Sequence, residues 1–315
     1  MATTEPQGST KATQLSVVLC TLNPRAEVLS WVLEGVRNQS VPSDQFEVII
    51  VDNQSRPPVD PESWSRWGLN LRIVSEQEPG QITARVRGIA EAKSPYLLFL
   101  DDDTRPSSNY FEAALAAIAR EPRIGCFGGA THGRFEAPPP AWAKPLLPYL
   151  AVRDCGPESL QNFEDVTVPF EPIGAGMVVR QDVAEYYADW LARDTSLRQL
   201  GRRGEDLLSG DDSLMARSSY KLGFGCAYEP TLRMEHWVRA NRFAPSYLRQ
   251  LMLGHGRSYV RVEVLCTGGL AKPTWVRGIV TLAGALLNRL RHSGVRGGWI
   301  EWHYDWGRLL ELKGL

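Results

Sequence analysis

Short apolar runs that alternate with helical patterns constrain the fold more than any other feature of this sequence. Three runs are continuously or almost continuously apolar: residues 15–20 (LSVVLC), 46–51 (FEVIIV) and 96–100 (YLLFL). Such runs are typical of strands buried on both faces. Residues 25–38 and 82–92 carry apolar side chains at helical spacing, which predicts helices between the strands. Alternating strands and helices predict an α/β fold with a mostly parallel central sheet flanked by helices.

Polar residues stand where the predicted strands end. Thr21 follows the first strand, Asp52 follows the second, and Asp101, Asp102 and Asp103 follow the run at 96–100. The carboxyl ends of parallel strands lie along one edge of a sheet, and ligands bind in the crevice beyond that edge. The sequence therefore predicts a ligand site lined by these polar side chains.

Three adjacent carboxylates repel one another, and three interpretations account for them. They could form a cap or solvated turn before a helix at residues 109–120. They could form the DxDx(T/V) motif of a haloacid-dehalogenase-type phosphatase, but Arg105 stands where that motif requires Thr or Val. They could hold Mg²⁺ or Mn²⁺, cations that prefer oxygen ligands, against the two phosphates of a nucleotide diphosphate.

Composition limits the function classes. The formal net charge of −1 argues against a general nucleic-acid binder. The five cysteines are scattered without CxxC spacing, which favours a reducing compartment. The first 14 residues hold no apolar leader, and no run approaches the roughly 18–20 apolar residues of a membrane-spanning helix. We expect a cytoplasmic protein, with peripheral contact at the inner face of the cell membrane left open.

The pattern changes after residue 124, where a proline- and aromatic-rich stretch follows, and the last 70 or so residues are predicted to be helical. The predicted organisation is a disordered tail (1–13), a large α/β domain (14–240) with a first half (14–124) and a second half (125–240), and a helical C-terminal extension (241–315).

Five blocks carry a resemblance to a known family. LSVVLCTLNP, EVIIVDNQS, GQITARVRGIAEAKSPYLLFLDDDTRP, PIGAGMVVR and GDDSLMARSSYKLGFGCAYEPTLRMEH occur in an order that resembles family 2 glycosyltransferases of the GT-A fold, of the bacterial polysaccharide type. The resemblance implies inverting transfer of a sugar from a nucleotide-diphosphate sugar, with UDP the first guess, to a saccharide or lipid-linked acceptor. It also implies a divalent cation, Mn²⁺ or Mg²⁺, and a role in polysaccharide or glycoconjugate synthesis. By the same resemblance, residues 14–240 would be the catalytic domain, with 14–124 as the nucleotide-sugar-binding half and 125–240 as the acceptor half.

The resemblance assigns roles residue by residue. The implied donor-binding residues are Thr21, Asn23, Asp52, Arg85, Asp101, Asp102, Gly174, Ala175 and Gly176. Asp103 is the implied metal ligand, with Asp101 and the late His236 completing the set. The Asn that follows the arginine in the family is Val86 here, and the middle aspartate, Asp102, stands where the family often has a small residue.

Two pairs of adjacent carboxylates could supply the catalytic base. Asp211-Asp212 resembles the Glu-Asp pair of the family, with Asp211 replacing Glu. An acceptor hydroxyl is a poor nucleophile until its proton is removed, so we predict Asp212 as the base and Asp211 as a residue that orients the acceptor. Capping of the helix that begins there is the structural alternative, and Glu205-Asp206 in the preceding loop is the rival pair.

The C-terminal extension has two interpretations. Residues 275–290 place apolar side chains at helical spacing, and a set of basic and aromatic residues accompanies them: Lys272, Arg277, Arg289, Arg291, Arg296, Trp299, Trp302 and Trp306. This pattern fits packing against the catalytic domain or a second subunit of a homo-oligomer. It also fits peripheral membrane contact through residues 272–299.

Two other function classes fit the sequence less well. A sugar-nucleotide pyrophosphorylase needs a glycine-rich loop with Arg or Lys after the first strand, and CTLNPRAE lacks one. A non-catalytic carbohydrate-binding relative should have lost the metal or base carboxylates, and both sets are present.

Overall fold

The computed structural model describes residues 13–60, 62, 64, 67–202, 207–270 and 275–314, so most of the predicted tail at 1–13 lies outside it. The first half follows the predicted alternation. Its elements are β1 (Leu15–Thr21), α1 (Ala26–Arg37), β2 (Phe46–Asp52), β3 (Leu71–Ser75), α2 (Gln81–Glu91), β4 (Tyr96–Asp101), β5 (Thr104–Pro106) and α3 (Tyr110–Arg120).

The second half is less regular. Its elements are β6 (Ile124–Phe135), a 3-10 helix (Ala141–Leu150), β7 (Leu160–Asn162), β8 (Met177–Arg180), α4 (Gln181–Arg193), a 3-10 helix (Thr195–Leu200), α5 (Asp211–Lys221), β9 (Gly225–Val238), α6 (Pro245–Thr267) and α7 (Trp275–Gly314). Sequence patterns did not indicate several of these elements, among them the three-residue strands β5 and β7, the helix α4 and the 3-10 helix that contains Pro145 and Pro148.

In the described part of the chain the strands form one sheet in the order β3-β2-β1-β4-β8-β6-β9-β5, with β7 beside β9. The strands from β3 to β4 are parallel, as predicted. Beyond β4 the sheet is mixed, because β8 runs antiparallel to both β4 and β6. Register places Thr21 opposite Asp52 and Cys20 opposite Asp101, so the polar strand ends lie at one edge.

Alternate residues of the buried strands fill two cores. On β1, Val17 and Leu19 pack in the cluster on the α1 side, whereas Val18 packs in the cluster on the α2 side. Gly88 of α2 lies so close to Val18 that a Cβ there would come within 2.2 Å of its Cγ1. This close packing fixes α2, and with it Arg85, against the sheet.

The C-terminal helices form a third core with the proline-containing 3-10 helix Ala141–Leu150. The helix α7 bends at Gly294, which has φ 71°, and its two halves fold against each other, since Trp302 Nε1 donates to the Leu282 carbonyl at 2.9 Å. The helix α6 packs on the second half, where a Cβ on Gly256 would lie 2.0 Å from the Tyr304 carbonyl oxygen. No helix in the described part of the chain has the length and apolar character needed to cross a bilayer.

Candidate active site

Two cavities adjoin at the carboxyl edge of the parallel strands. The strand-end cavity has a polar lining that includes Thr21, Asn53, Gln81, Asp101, Asp102, Asp103, Arg202, Arg239 and Arg242. The inner cavity is lined by Asp211, Asp212, Ala175, His236, Tyr149, Tyr247 and His255, among others. Gln81, Asp101, Asp103, Arg202 and Arg242 line both cavities. The two sets of carboxylates that the sequence singled out therefore open onto one connected space.

The three consecutive aspartates carry the electrostatic strain expected of clustered carboxylates. Burial, together with the neighbouring Asp103, raises the pKa of Asp102 to about 7, although its carboxylate accepts a hydrogen bond from the Thr21 hydroxyl. Burial also raises the pKa of Asp101, and the charge of Asp103 adds to the effect. Negative charge at this edge is thus incompletely compensated by the protein, which is the condition under which a cation binds.

His236 lies against Asp103 because two strands pair there. On the β5–β9 ladder Thr104 is opposite His236, and the Trp237 amide donates to the Asp103 carbonyl at 2.8 Å. His236 Nε2 is 3.5 Å from Asp103 Oδ2, and Nδ1 is buried without a hydrogen-bond partner. Burial acts to raise the pKa of Asp103, but the interaction with His236 lowers it overall.

The donor set fits a divalent cation that a substrate helps to hold. Among the described residues no group of three or more His, Cys, Asp or Glu side chains is arranged as a metal site. Asp103 and His236 nevertheless adjoin, and Asp101 lines the same cavity. Mg²⁺ is usually bound by one or two protein carboxylates together with substrate phosphates, and Mn²⁺ also accepts an imidazole.

Arg85 joins the two groups of acids. Its Nη1 lies 2.5 Å from both Asp211 Oδ2 and Asp212 Oδ1, and its Nη2 lies 3.9 Å from Asp101 Oδ1. Burial raises the pKa of Asp211 to about 6, with Arg85 opposing the shift and Asp212 adding to it. The predicted donor-binding role of Arg85 stays a prediction. Its observed partners are Asp211 and Asp212, the two aspartates predicted to orient the acceptor and to act as the catalytic base.

The small-residue turn lies where Arg85 and Asp212 meet. A Cβ on Gly174 would come within 1.9 Å of Arg85 Nη2 and 2.3 Å of Asp212 Oδ1. Gly176 has φ 81° and donates from its amide to the Phe99 carbonyl at 2.8 Å, while Ala175 lines the inner cavity. Because Gly174 has no side chain, Arg85 and Asp212 can approach the backbone at this position. Contact of this turn with a sugar stays a prediction.

Two of the predicted donor-binding residues, Asp52 and Asn23, accept hydrogen bonds from backbone N–H groups of the protein. Both carboxylate oxygens of Asp52 accept backbone N–H groups, from Ser55 and Val59, each at 2.9 Å. Asn23 is exposed, accepts from the Arg56 amide at 2.7 Å, and lines a separate depression. Thr21 does line the strand-end cavity. The roles of Asp52 and Asn23 toward a donor remain predictions.

Sequence reasoning missed several polar residues of the site. Arg202, Arg239 and Arg242 line the strand-end cavity and place positive charge beside the aspartates. His255 of α6 hydrogen-bonds the Tyr149 backbone, burial lowers its pKa to about 4, and its Nε2 is buried without a partner. These residues lie in loops or helices that carry no recognisable motif. The one available signal is the segment HWVRANR, which begins at His236 and contains Arg239 and Arg242.

The rival pair Glu205-Asp206 lies outside the described residues. Glu171 is a further missed acid. It is buried, one oxygen accepts from the Ser213 hydroxyl at 2.7 Å, and the other has no partner. Burial raises its pKa to about 7.

Comparisons with known proteins show the family to which the chain belongs. A model of the family described as "Glycosyl transferase family 2" matches residues 16–187, which is more than half of the 315 residues. Over 108 residues the chain is 32% identical to the glycosyltransferase AglE of Haloferax volcanii, and over 110 residues it is 34% identical to an uncharacterized glycosyltransferase of Haemophilus influenzae. The matches cover 33% and 35% of this chain and 35% and 36% of those relatives, so the chain spans about a third of the length of the curated relatives it matches.

Solved structures share the fold at low identity. The S. aureus TarS fragment 1-349 in complex with UDP-GlcNAc has a TM-score of 0.52 at 14% identity, covering 94% of this chain and 93% of that one. GalNAc-T7 with UDP, GalNAc and Mn²⁺ has a TM-score of 0.53 at 15% identity, covering 93% and 54%. The mannosyltransferase PcManGT from Pyrobaculum calidifontis, with GDP-Man and Mn²⁺, has a TM-score of 0.54 at 16% identity, covering 97% and 74%. The predicted GT-A fold class is confirmed.

Proposed function

Because this chain belongs to glycosyl transferase family 2 and is therefore a glycosyltransferase, we propose that it moves a sugar from a nucleotide-diphosphate sugar to an acceptor hydroxyl, with inversion at the anomeric carbon. The observation that carries the proposal is the connected cavity onto which Asp101, Asp103 and His236 open at one place and Asp212 at another. A metal-and-diphosphate end and a base end are the two parts that such a transfer needs.

The strand-end cavity is proposed to hold the nucleotide diphosphate. Its lining supplies carboxylates for a divalent cation and three arginines for phosphate oxygens, Arg202, Arg239 and Arg242, and guanidinium groups suit phosphate geometry. A bound Mn²⁺ or Mg²⁺, held by Asp103, Asp101 and His236, would offset the negative charge that develops on the departing diphosphate. UDP remains the first candidate. The solved relatives named above bind UDP-GlcNAc and GDP-Man, which makes GDP the second.

The inner cavity is proposed to hold the transferred sugar and the acceptor. The acceptor oxygen forms a bond to the anomeric carbon while the bond from that carbon to the diphosphate oxygen breaks, and the electron pair leaves with the diphosphate. Asp212 takes the hydroxyl proton. Arg85 Nη1, 2.5 Å from Asp212 Oδ1, orients that carboxylate through a charge-assisted hydrogen bond. A saccharide or lipid-linked acceptor fits this scheme equally.

The test is calorimetric titration of UDP, GDP and their sugar conjugates, with Mn²⁺ and after its removal by EDTA. We expect binding of one nucleotide class that depends on the cation, and Asp103→Ala should abolish that dependence while leaving the thermal unfolding temperature unchanged or raised. Asp182→Ala is the matched control, because Asp182 is an exposed carboxylate at the start of α4 that pairs with Arg180. Cation-dependent nucleotide binding that survives Asp103→Ala would overturn the metal assignment.

A further inference from the structure

We propose that the first half of α7, together with the bend at Gly294, is a docking surface for an anionic lipid membrane. The surface, here called the outer face, consists of Ile279, Val280, Ala283, Leu287, Arg291, Val295 and Arg296. Within it Ile279, Val280, Leu287 and Val295 are 60%, 66%, 59% and 81% exposed. Residues 279, 283, 287 and 291 recur at intervals of four, so they form one row along the helix, and the apolar residues of that row face solvent instead of a core.

Charge distribution on α7 separates this face from an ordinary solvated helix. All three acids of α7 are turned inward and paired: Glu301 and Asp305 with Arg289, and Glu311 with Arg257 and Arg261. Arg289, one of the basic residues of the sequence pattern, does not belong to the outer face, because its side chain bridges the two halves of the helix at 3.1 and 2.7 Å. Within the described part of α7, exposed formal charge comes from the arginines of the outer face.

More positive charge lies beside the bend. Arg296 stacks over the Trp142 ring with its guanidinium carbon 4.7 Å from the ring centroid, and Lys144, in the same 3-10 helix as Trp142, is exposed. Exposed Trp299 follows the bend at 44% exposure. Apolar side chains in a row, arginines and lysine around them, and a tryptophan at the margin are the composition of helices that lie in the interface of a bilayer.

The 3-10 helix Ala141–Leu150 connects the region of the outer face with the site. Gly297, just after the bend, contacts the Trp142 backbone so closely that a Cβ would lie 2.8 Å from its carbonyl oxygen. The 3-10 helix that carries Trp142 ends at Leu150, and residues 148–151 line the inner cavity. A membrane on the outer face would therefore lie beside the proposed acceptor end of the site; the consequence that the acceptor is lipid-linked rests on the proposed function, whereas docking itself does not.

A bilayer fits this face better than a second copy of the chain. In a two-fold contact the same surface meets itself, so Arg291 and Arg296 would face their own copies with no exposed acid of α7 to compensate. Anionic headgroups supply the missing negative charge, and the acyl region accepts the valine and leucine side chains.

The experiment is flotation of the full chain with vesicles of phosphatidylcholine alone or mixed with phosphatidylglycerol, at low and high salt. We expect binding to the anionic vesicles that weakens but persists as salt rises, because salt screens the arginines and leaves apolar burial intact. Arg291→Gln with Arg296→Gln should lower the partition coefficient about fivefold per arginine, and Val280→Glu with Leu287→Glu should abolish binding.

Val166→Glu is the matched control, since Val166 is a 47% exposed valine in the loop between β7 and β8 and not a residue of the outer face, and it should bind like the wild type. Cation-dependent nucleotide binding is measured on every variant and should not change, so that failure of the proposed function is seen separately. Wild-type protein that floats with neither vesicle, or Val280→Glu/Leu287→Glu protein that floats as well as the wild type, would overturn the proposal. The proposal would also be overturned if the wild type bound no vesicles and light scattering showed that it forms a dimer which the Val280→Glu/Leu287→Glu variant has lost.

Discussion

At the scale of single residues, the most informative side chain is Arg85, because it shares one guanidinium nitrogen between two aspartates from α5. Burial opposes its charge, yet Asp211 and Asp212 raise the pKa of Arg85 well above the usual range. The sequence indicated all three residues but not that they touch, since 126 and 127 positions separate the arginine from its partners. Contacts of this span follow from the complete fold and leave no local pattern.

The base assignment gives the first prediction at this scale. Asp212→Asn keeps the side-chain shape but removes the basic oxygen, so cation-dependent donor binding should stay near normal while turnover falls about 10²–10⁴-fold. Calorimetry and steady-state kinetics on the same preparations measure the two effects. Turnover within a few-fold of the wild type would show that another group, such as Glu205 or Asp206, takes the proton.

Replacement of Arg85 gives the second prediction at the scale of single residues. Arg85→Lys keeps a positive charge but loses the planar group that reaches both aspartates, and broken buried pairs cost about 3–5 kcal/mol. We expect a lower free energy of unfolding in urea together with loss of turnover. Arg87→Lys is the control on the same helix, because Arg87 makes a partly exposed pair with Glu91 at 2.8 Å whose loss should cost less than about 1 kcal/mol. Equal effects of the two substitutions would contradict a special role for Arg85.

At the scale of elements, β9 and α6 bring to the site what the first half of the chain lacks. The strand β9 carries His236 to Asp103, and α6 supplies Tyr247 and His255 to the inner cavity. The predicted C-terminal extension is therefore packed into the site and shares a core with residues 143–150. The division at residue 240 stays a prediction about sequence organisation.

Two glycines test the packing of these helices with opposite expected signs. A Cβ added to Gly256 of α6 would lie 2.0 Å from the Tyr304 carbonyl oxygen, whereas a Cβ added to Gly284 of α7 would have no neighbouring atom within 4 Å. Gly256→Ala should lower the unfolding temperature because backbone must move. Gly284→Ala should raise it, since Ala is favoured over Gly in helices by up to about 1 kcal/mol. Thermal unfolding of both variants measures the difference, and a stable Gly256→Ala protein would mean that α6 and α7 do not pack as described.

At the scale of the whole molecule, the first half could be predicted because its strands and helices are each defined by a short periodic pattern. In the second half the helices after residue 244 were predictable from sequence, but the pairing of its strands was not. The pairing of β6 with β9 joins residues about a hundred positions apart, and the 3-10 helix Ala141–Leu150 contains prolines that obscure helical spacing. For the site, strand-end carboxylates were predictable from chemistry, whereas arginines that converge from loops were not.

The buried acid Glu171 gives a prediction for stability as a function of pH. Burial raises its folded-state pKa from 4.5 to about 7, so the folded protein holds a proton that the unfolded chain has lost between those values. The stabilising contribution of Glu171 is then complete below about pH 4.5 and is lost as pH rises through about 7, with a size on the order of 1–3 kcal/mol. His255 acts in the opposite sense, because its lowered pKa, about 4, reduces stability as pH falls from 6.5 toward 4.

The substitution Glu171→Gln isolates the first contribution. Glutamine keeps an oxygen that accepts from the Ser213 hydroxyl, 2.7 Å away in the wild type, but carries no charge at any pH. The unfolding temperature of the variant should therefore exceed that of the wild type at pH 8, and the gap should close as pH falls to 5. Glu158→Gln, at an exposed glutamate on the neighbouring loop, should show no such gap at either pH. If the two variants show the same pH dependence relative to wild type, Glu171 is ionised in the folded protein without cost, and burial does not govern its titration.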